Sequence, residues 1–233
     1  MNAPARRSEI YDLGYRNYDG PRLGRGYAIR SLTALSLRNT FGLGRGAVPK
    51  IIAFSLTLFA LVPALIQLAL GAVLPTDDFE FVRPHEYYGF VQTILVLFVA
   101  AMASELVGND RKSNTLPLYF SRPIQRSDYV LAKVGALTIG LQMLTLVPQL
   151  LMFVGNWLGA ADGSGWLSDN ITDLPAIVVS AVLVSAQMAS LAIVVATFST
   201  KRAFAMVAIL ALFLLSLVTA AVLADMLPVG AGR

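Results

Sequence analysis

"YGFVQTILVLFVAAMASELV", Tyr88 to Val107, decides the fold: twenty consecutive residues hold a single charged side chain, Glu105, near their end. About 20 mostly apolar residues are what an α-helix needs to cross the hydrocarbon core of a bilayer. Four other stretches read the same way: Ile51 to Val73, Tyr129 to Gly155, Leu174 to Thr200 and Phe204 to Leu227. Each is too long and too evenly apolar to be one of the alternating strands, about 10 residues long, of a membrane barrel. The expected fold is therefore all-α and polytopic, with five transmembrane helices. Composition agrees, since the 233 residues are 56% hydrophobic and only 14% charged, well outside the balance of a soluble domain. Cysteine is absent, which excludes disulfides, thiolate metal sites and Cys-linked lipid anchors.

The basic residues set the expected orientation. Nine lie within residues 1–50. Five more, Arg111, Lys112, Arg122, Arg126 and Lys133, lie at the connection between the second and third spans, and Lys201 and Arg202 join the fourth to the fifth. The opposite side has two, Arg83 and Arg233, beside Asp77, Asp78, Glu80, Glu86, Asp162, Asp169 and Asp173. The N-terminus and the second-to-third loop are expected in the cytoplasm, with residues 74–87 and 156–173 outside. The chain divides into a cytoplasmic N-terminal segment, 1–49, and a transmembrane domain, 50–233. Its first apolar run starts near residue 50 after a long basic segment, unlike the short regions of a cleaved signal peptide. The N-terminal segment is expected to survive in the mature protein.

Within that segment "YAIRSLTALSLRNTF", residues 27–41, spaces Ile29, Leu32 and Leu35 in helical fashion with Arg30 and Arg38 elsewhere on the wheel. This is the pattern of a basic amphipathic helix on the lipid surface; the other reading packs it against neighbouring loops. "GLGRG", Gly42 to Gly46, then turns the chain upward, and Pro49 suits the start of the first span. The same glycines do not make a nucleotide loop. Ala47 and Val48 follow where a Walker A motif needs Lys and Ser or Thr to meet the phosphates and the metal.

Little else in the sequence can do chemistry. The single histidine, His85, stands in the acidic stretch "PTDDFEFVRPHEYY", where a metal site competes with the simpler reading that the outer side collects the acids; no metal site is assigned. One His and no paired carboxylates in the spans leave no hydrolase, and no catalytic residue is expected. Gln142, Thr145 and Gln149 share one face of the third span, and Ser180 and Gln187 lie seven apart in the fourth. They must avoid lipid, so they either line a substrate path or bond between helices, aided by Ala181, Ser185 and Ala189. Glu105 either pairs with Arg111 or meets interfacial water. No charge sits at mid-depth in a span, which argues against an ion-driven carrier.

The second-to-third loop, "GNDRKSNTLPLYFSRPIQRSDYVLAK", Gly108 to Lys133, is the remaining candidate site. Thr115 or Asn114 can cap a short helix with Pro117 in its first turn, and Ser127 or Asp128 can cap the third span. Leu116, Leu118, Tyr119 and Phe120 then form an apolar knot rimmed by Arg and Lys, which is either a docking surface for another protein or an interfacial turn.

The run Asp110-Arg111, Thr115-Leu116, Pro123, Arg126 and Lys133 resembles the corresponding loop of ABC-2 type permeases, the membrane subunits of bacterial ABC transporters. "YDLGYRNYDGPRLGRG" followed by "SLRNTFGLGR" is similar to bacterial members of that family, and the likeness runs from about Tyr11 onward. The resemblance implies that this loop is a coupling helix seated on a separate ABC ATP-binding subunit, and that residues 27–41 are the connecting helix. The docking role falls on Asp110, Arg111, Thr115, Leu116, Leu118, Phe120, Pro123 and Arg126, with Leu116 and Phe120 as anchors. It further implies an exporter of the bacterial inner membrane, built from two permease subunits as a homo- or heterodimer. ATP and Mg are bound by the ATPase rather than by this chain, and no nucleic acid is involved. Two departures stand out. Asn114 replaces the Gly common before Thr-Leu, and five spans stand where the family norm is six with a cytoplasmic C-terminus, so the chain is either a shortened form or lacks a final helix. The competing reading is a secondary carrier or a membrane scaffold with no ATPase.

Overall fold

In the computed structural model, residues 20, 23–44, 46–73, 86–121, 124–199 and 201–226 are described. Among them the chain forms eight helices: α1 (Arg25–Thr40), α2 (Ala47–Val73), α3 (Tyr87–Lys112), α4 (Leu116–Phe120), α5 (Arg126–Gly159), α6 (Gly163–Asn170), α7 (Asp173–Phe198) and α8 (Arg202–Met226). Five of these, α2, α3, α5, α7 and α8, are long and apolar enough to cross a membrane, as the hydropathy of the sequence requires. The protein is an all-α polytopic membrane protein. The expected spans match within a few residues at each end; α6 was not expected, and its Asp162 N-cap accepts the backbone N–H of Gly165.

The helix α3 lies at the centre, packed against α2, α5, α7 and α8, while α5 contacts α1, α2 and α7 as well. Small residues set the spacing. Ala53, Ala60 and Ala64 of α2 and Ala181, Ser185, Ala189 and Ala192 of α7 are fully buried, letting helix backbones approach closely. A Cβ on Gly155 would come within 3.2 Å of the Leu68 backbone, which fixes how near α2 lies to α5. The hydroxyl of Tyr87, at the start of α3, reaches the carbonyls of Leu144 at 2.5 Å and Ala60 at 3.1 Å. Leu144 needs this donor because Pro148, four residues on inside α5, has no N–H to offer it.

The expected amphipathic segment is α1, but its buried stripe is Leu32, Ser36 and Thr40 rather than Ile29, Leu32 and Leu35; Leu35 stays exposed. The reason is the neighbour. Arg25 meets Asp128, Leu32 packs with Tyr129 and Ala132, and Thr40 lies against Gly140, so α1 follows the first turns of α5. At about 1.5 Å per residue, the 34 residues of α5 outrun a hydrocarbon core of about 30 Å, leaving its early turns available to α1.

Two turns end helices in the same way. After α1, Gly42 (φ 64) lets the N–H groups of Gly42 and Leu43 return to the carbonyls of Asn39 and Arg38. After α3, Asn114 (φ 49) lets Asn114 and Thr115 return to Arg111 and Asp110. Both are Schellman closures, which require a residue that accepts the left-handed conformation, and Asn is the common substitute for Gly there. The departure at Asn114 therefore keeps the turn.

Candidate partner-docking site

The turn at Asn114 delivers the chain into α4, the short helix between α3 and α5. Its N-cap residue is Thr115, whose hydroxyl bonds back to the Asp110 carbonyl instead of capping α4. The cap of α5 is Gln125 rather than Ser127 or Asp128. Asp128 instead completes a capping box from the third helical position by accepting the Gln125 N–H. Arg25 donates to both oxygens of Asp128, at 2.9 and 2.7 Å, and to Gln125. These bonds to the Asp128 carboxylate hold the Arg25 guanidinium above its ordinary value.

The side chains of α4 divide between two directions. Leu116, expected as an outward anchor, turns inward with Tyr119 onto Leu32, Tyr129 and Ala132. Leu118 and Phe120 remain outside, 66% and 41% exposed, although the Phe120 ring also leans edge-on against Tyr129 at 6.2 Å. Burial, and then the nearby Asp110 carboxylate, push the Tyr119 hydroxyl above the usual phenol range. Between α1 and α4 lies a groove of about 680 Å³, whose walls include Tyr27, Leu32, Leu35, Leu118, Tyr119 and Ile124.

The other candidate docking residues separate by burial. Arg126 is exposed and Pro123 lies outside the described residues. Arg111 is exposed and donates to the carbonyls of Thr197 and Ser199 at the end of α7, where a cation complements the helix terminus. Asp110 is buried, so its side chain faces the bundle and not a partner. Its Oδ2 accepts from the Tyr129 hydroxyl at 2.7 Å and pairs with Lys133 Nζ at 2.6 Å. Glu105, for which Arg111 or water was expected, accepts from Arg202 at 2.9 Å. Tyr129 and Lys133 went unassigned in the sequence. Their signal was a four-residue spacing that sets both on one face of α5, with a Lys inside the apolar turns.

The five candidate pathway residues do not converge. Thr145 meets Ser185 across the α5–α7 contact at 3.1 Å, and the Gln142 amide donates to the Ala181 carbonyl at 3.3 Å. Gln149 is buried, its Nε2 without a hydrogen-bond partner among the described residues, and Ser180 lies 3.5 Å from the Tyr88 hydroxyl. Gln187 opens onto a groove of about 510 Å³ between α3, α7 and α8 that it shares with Gln92 and Ser216. Among the described residues no cluster of metal-ligating side chains is found; His85 lies outside them.

A family model described as "ABC-2 family transporter protein" matches residues 75–229, from just after α2 to just past α8. The chain belongs to the ABC-2 transporter family. The permease is thus a multi-pass membrane component of an ABC transporter, a transport subunit and not itself the catalytic one, and the family implies an ABC ATPase as partner. No curated protein and no solved structure matches it.

Proposed function

We propose that this permease is the membrane subunit of an ATP-driven exporter in the bacterial inner membrane, energised by a separate ATP-binding subunit that docks on α4 and the adjoining face of α1. The observation that carries this reading is the exposure of Leu118 and Phe120 on a helix held between α3 and α5. Large apolar side chains beside a groove, with exposed Arg111, Lys112 and Arg126 around them, have the make-up of a protein interface: apolar at its centre and polar at its rim. Sixteen of the eighteen Lys and Arg residues fall in the segments expected on the same side of the membrane as α4, which supports a cytoplasmic N-terminus and an α4 within reach of an ATPase.

ATP and its Mg ion are held by the partner in this scheme. Two permease subunits, identical or different, flank the path, and α4 moves when the ATPase pair closes. A bundle of this kind shifts only if the partner binds its two states with different affinity. Gln187 and its groove are the segment of the path that the geometry supports best, while Gln142 and Thr145 act as bonds between helices. The export direction rests on the sequence resemblance. Copurification tests the docking: a tagged chain should bring down an ATP-binding subunit, and Leu118→Asp or Phe120→Asp should release it while membrane insertion is unchanged. Full retention of the subunit by both variants would sink the proposal.

A further inference from the structure

Asp110, Tyr129 and Lys133 form a cluster at the α4 end of the bundle. All three are buried. One carboxylate oxygen takes both the Tyr129 hydroxyl and the Lys133 ammonium, and Lys133 also reaches the Leu106 carbonyl at 3.4 Å and stands over the Tyr129 ring at 5.4 Å. Through its backbone Asp110 holds the other side of the turn, where its carbonyl accepts both the N–H and the hydroxyl of Thr115. Tyr129 meets α4 in turn, its ring 5.9 Å from Tyr119 and 6.2 Å from Phe120. The short helix is thus tied at its start to the last turn of α3 and along its length to the first turns of α5, and the same two residues that make those ties are bonded to each other.

Stability alone does not account for this chemistry. Desolvating an ammonium and a carboxylate cancels most of what their attraction returns, and an apolar pair of similar volume commonly serves a fold as well. A buried ion pair differs from an apolar pair in allowing one register: the bond forms only when Lys133 and Asp110 face each other, whereas methyl groups tolerate sliding. We propose that Asp110, Tyr129 and Lys133 are positioning residues that lock α4 to both α3 and α5, so that a displacement imposed on α4 passes into the two helices together instead of being absorbed in the loop. The inference rests on the docking reading above, with the lock itself a property of this chain.

Because the chain has no cysteine, a label pair can be placed without background. Ser121→Cys, in the exposed turn after α4, and Leu158→Cys, exposed at the far end of α5, are spin-labelled in nanodiscs with the copurified ATPase, and their distance distribution is read without nucleotide and with ATP and vanadate. Because α4 and α5 move as one body in the locked permease, it gives a narrow distribution that stays in place when nucleotide is added. Asp110→Asn/Lys133→Met, which removes both charges at once, should keep the ATPase bound but broaden the nucleotide-free distribution about twofold and let nucleotide shift it, as α4 then moves against α5. Tyr129→Phe, which keeps the ring and the ion pair, should broaden it less and serves if the double variant does not fold. A variant distribution as narrow and as still as the parent's, or a nucleotide shift in the parent itself, overturns the lock. If no ATPase copurifies with the unmodified chain, the docking reading fails, while the nucleotide-free width still tests the lock.

Discussion

At the α4 end of the bundle the contacts between helices are ionic: Lys133 with Asp110, Arg202 with Glu105 and Arg25 with Asp128. Midway along α5 and α7 they are neutral: the Tyr87 hydroxyl, from the start of α3, on the Leu144 carbonyl, Thr145 on Ser185 and Gln142 on Ala181. The division follows solvation. A charge is tolerable where water is a turn away or a counter-ion is bonded directly, and grows costly toward the hydrocarbon, where hydroxyls and carboxamides can join helices at lower desolvation cost. The ionic end also carries the candidate docking surface, so the contacts with the strictest geometry lie next to the element expected to be pushed.

Removing one member of the ionic set should therefore cost most. Lys133→Met leaves Asp110 buried without its cation and should lower unfolding free energy by about 3–5 kcal/mol, measured as a fall in thermal midpoint in nanodiscs. The paired neutral variant used against the lock should recover most of that loss, and a single variant as stable as the parent would erase the contrast between the two ends. Second comes Tyr87→Phe, which strips the Leu144 carbonyl of its donor for a cost of about 1–3 kcal/mol. Adding Pro148→Ala should reduce that cost, since Ala restores the helical N–H; equal losses with and without the proline would show that the hydroxyl serves some other purpose. The smallest effect is expected from Thr145→Val, about 0.6 kcal/mol, the usual size of an interhelical hydrogen bond in a bilayer.

Much of the architecture was legible because the bilayer imposes simple requirements. Five apolar runs could only be helices, and the caps, glycines and charges around them placed α1 and α4 within a few residues. The docking candidates were less legible. Leu116 and Leu118 are two apart on a short helix, and the sequence did not show which of them faces Tyr129. Asp110 and Arg111 are neighbours of opposite charge, yet Asp110 turns into the bundle while Arg111 crosses to the end of α7. Glu105 found Arg202, 97 residues away, through the packing of α3 against α8. The stripe on α1 shifted from Leu35 to Ser36 and Thr40 because α5 offers Gly140 there, a surface that hydropathy does not register.

By itself the sequence determined that this chain is a helical membrane protein with a basic end, a short apolar helix at that end and no nucleotide motif of its own. Those properties depend on local composition and spacing, which act through solvent and bilayer whatever the helices later touch. Only the tertiary structure decided that Asp110, Tyr129 and Lys133 meet, that Leu118 and Phe120 are left outside, and that Tyr87 compensates for Pro148. Each of these depends on the rotation of one helix against another, and that rotation is set by the packing of small side chains across whole interfaces, which no local stretch of sequence contains.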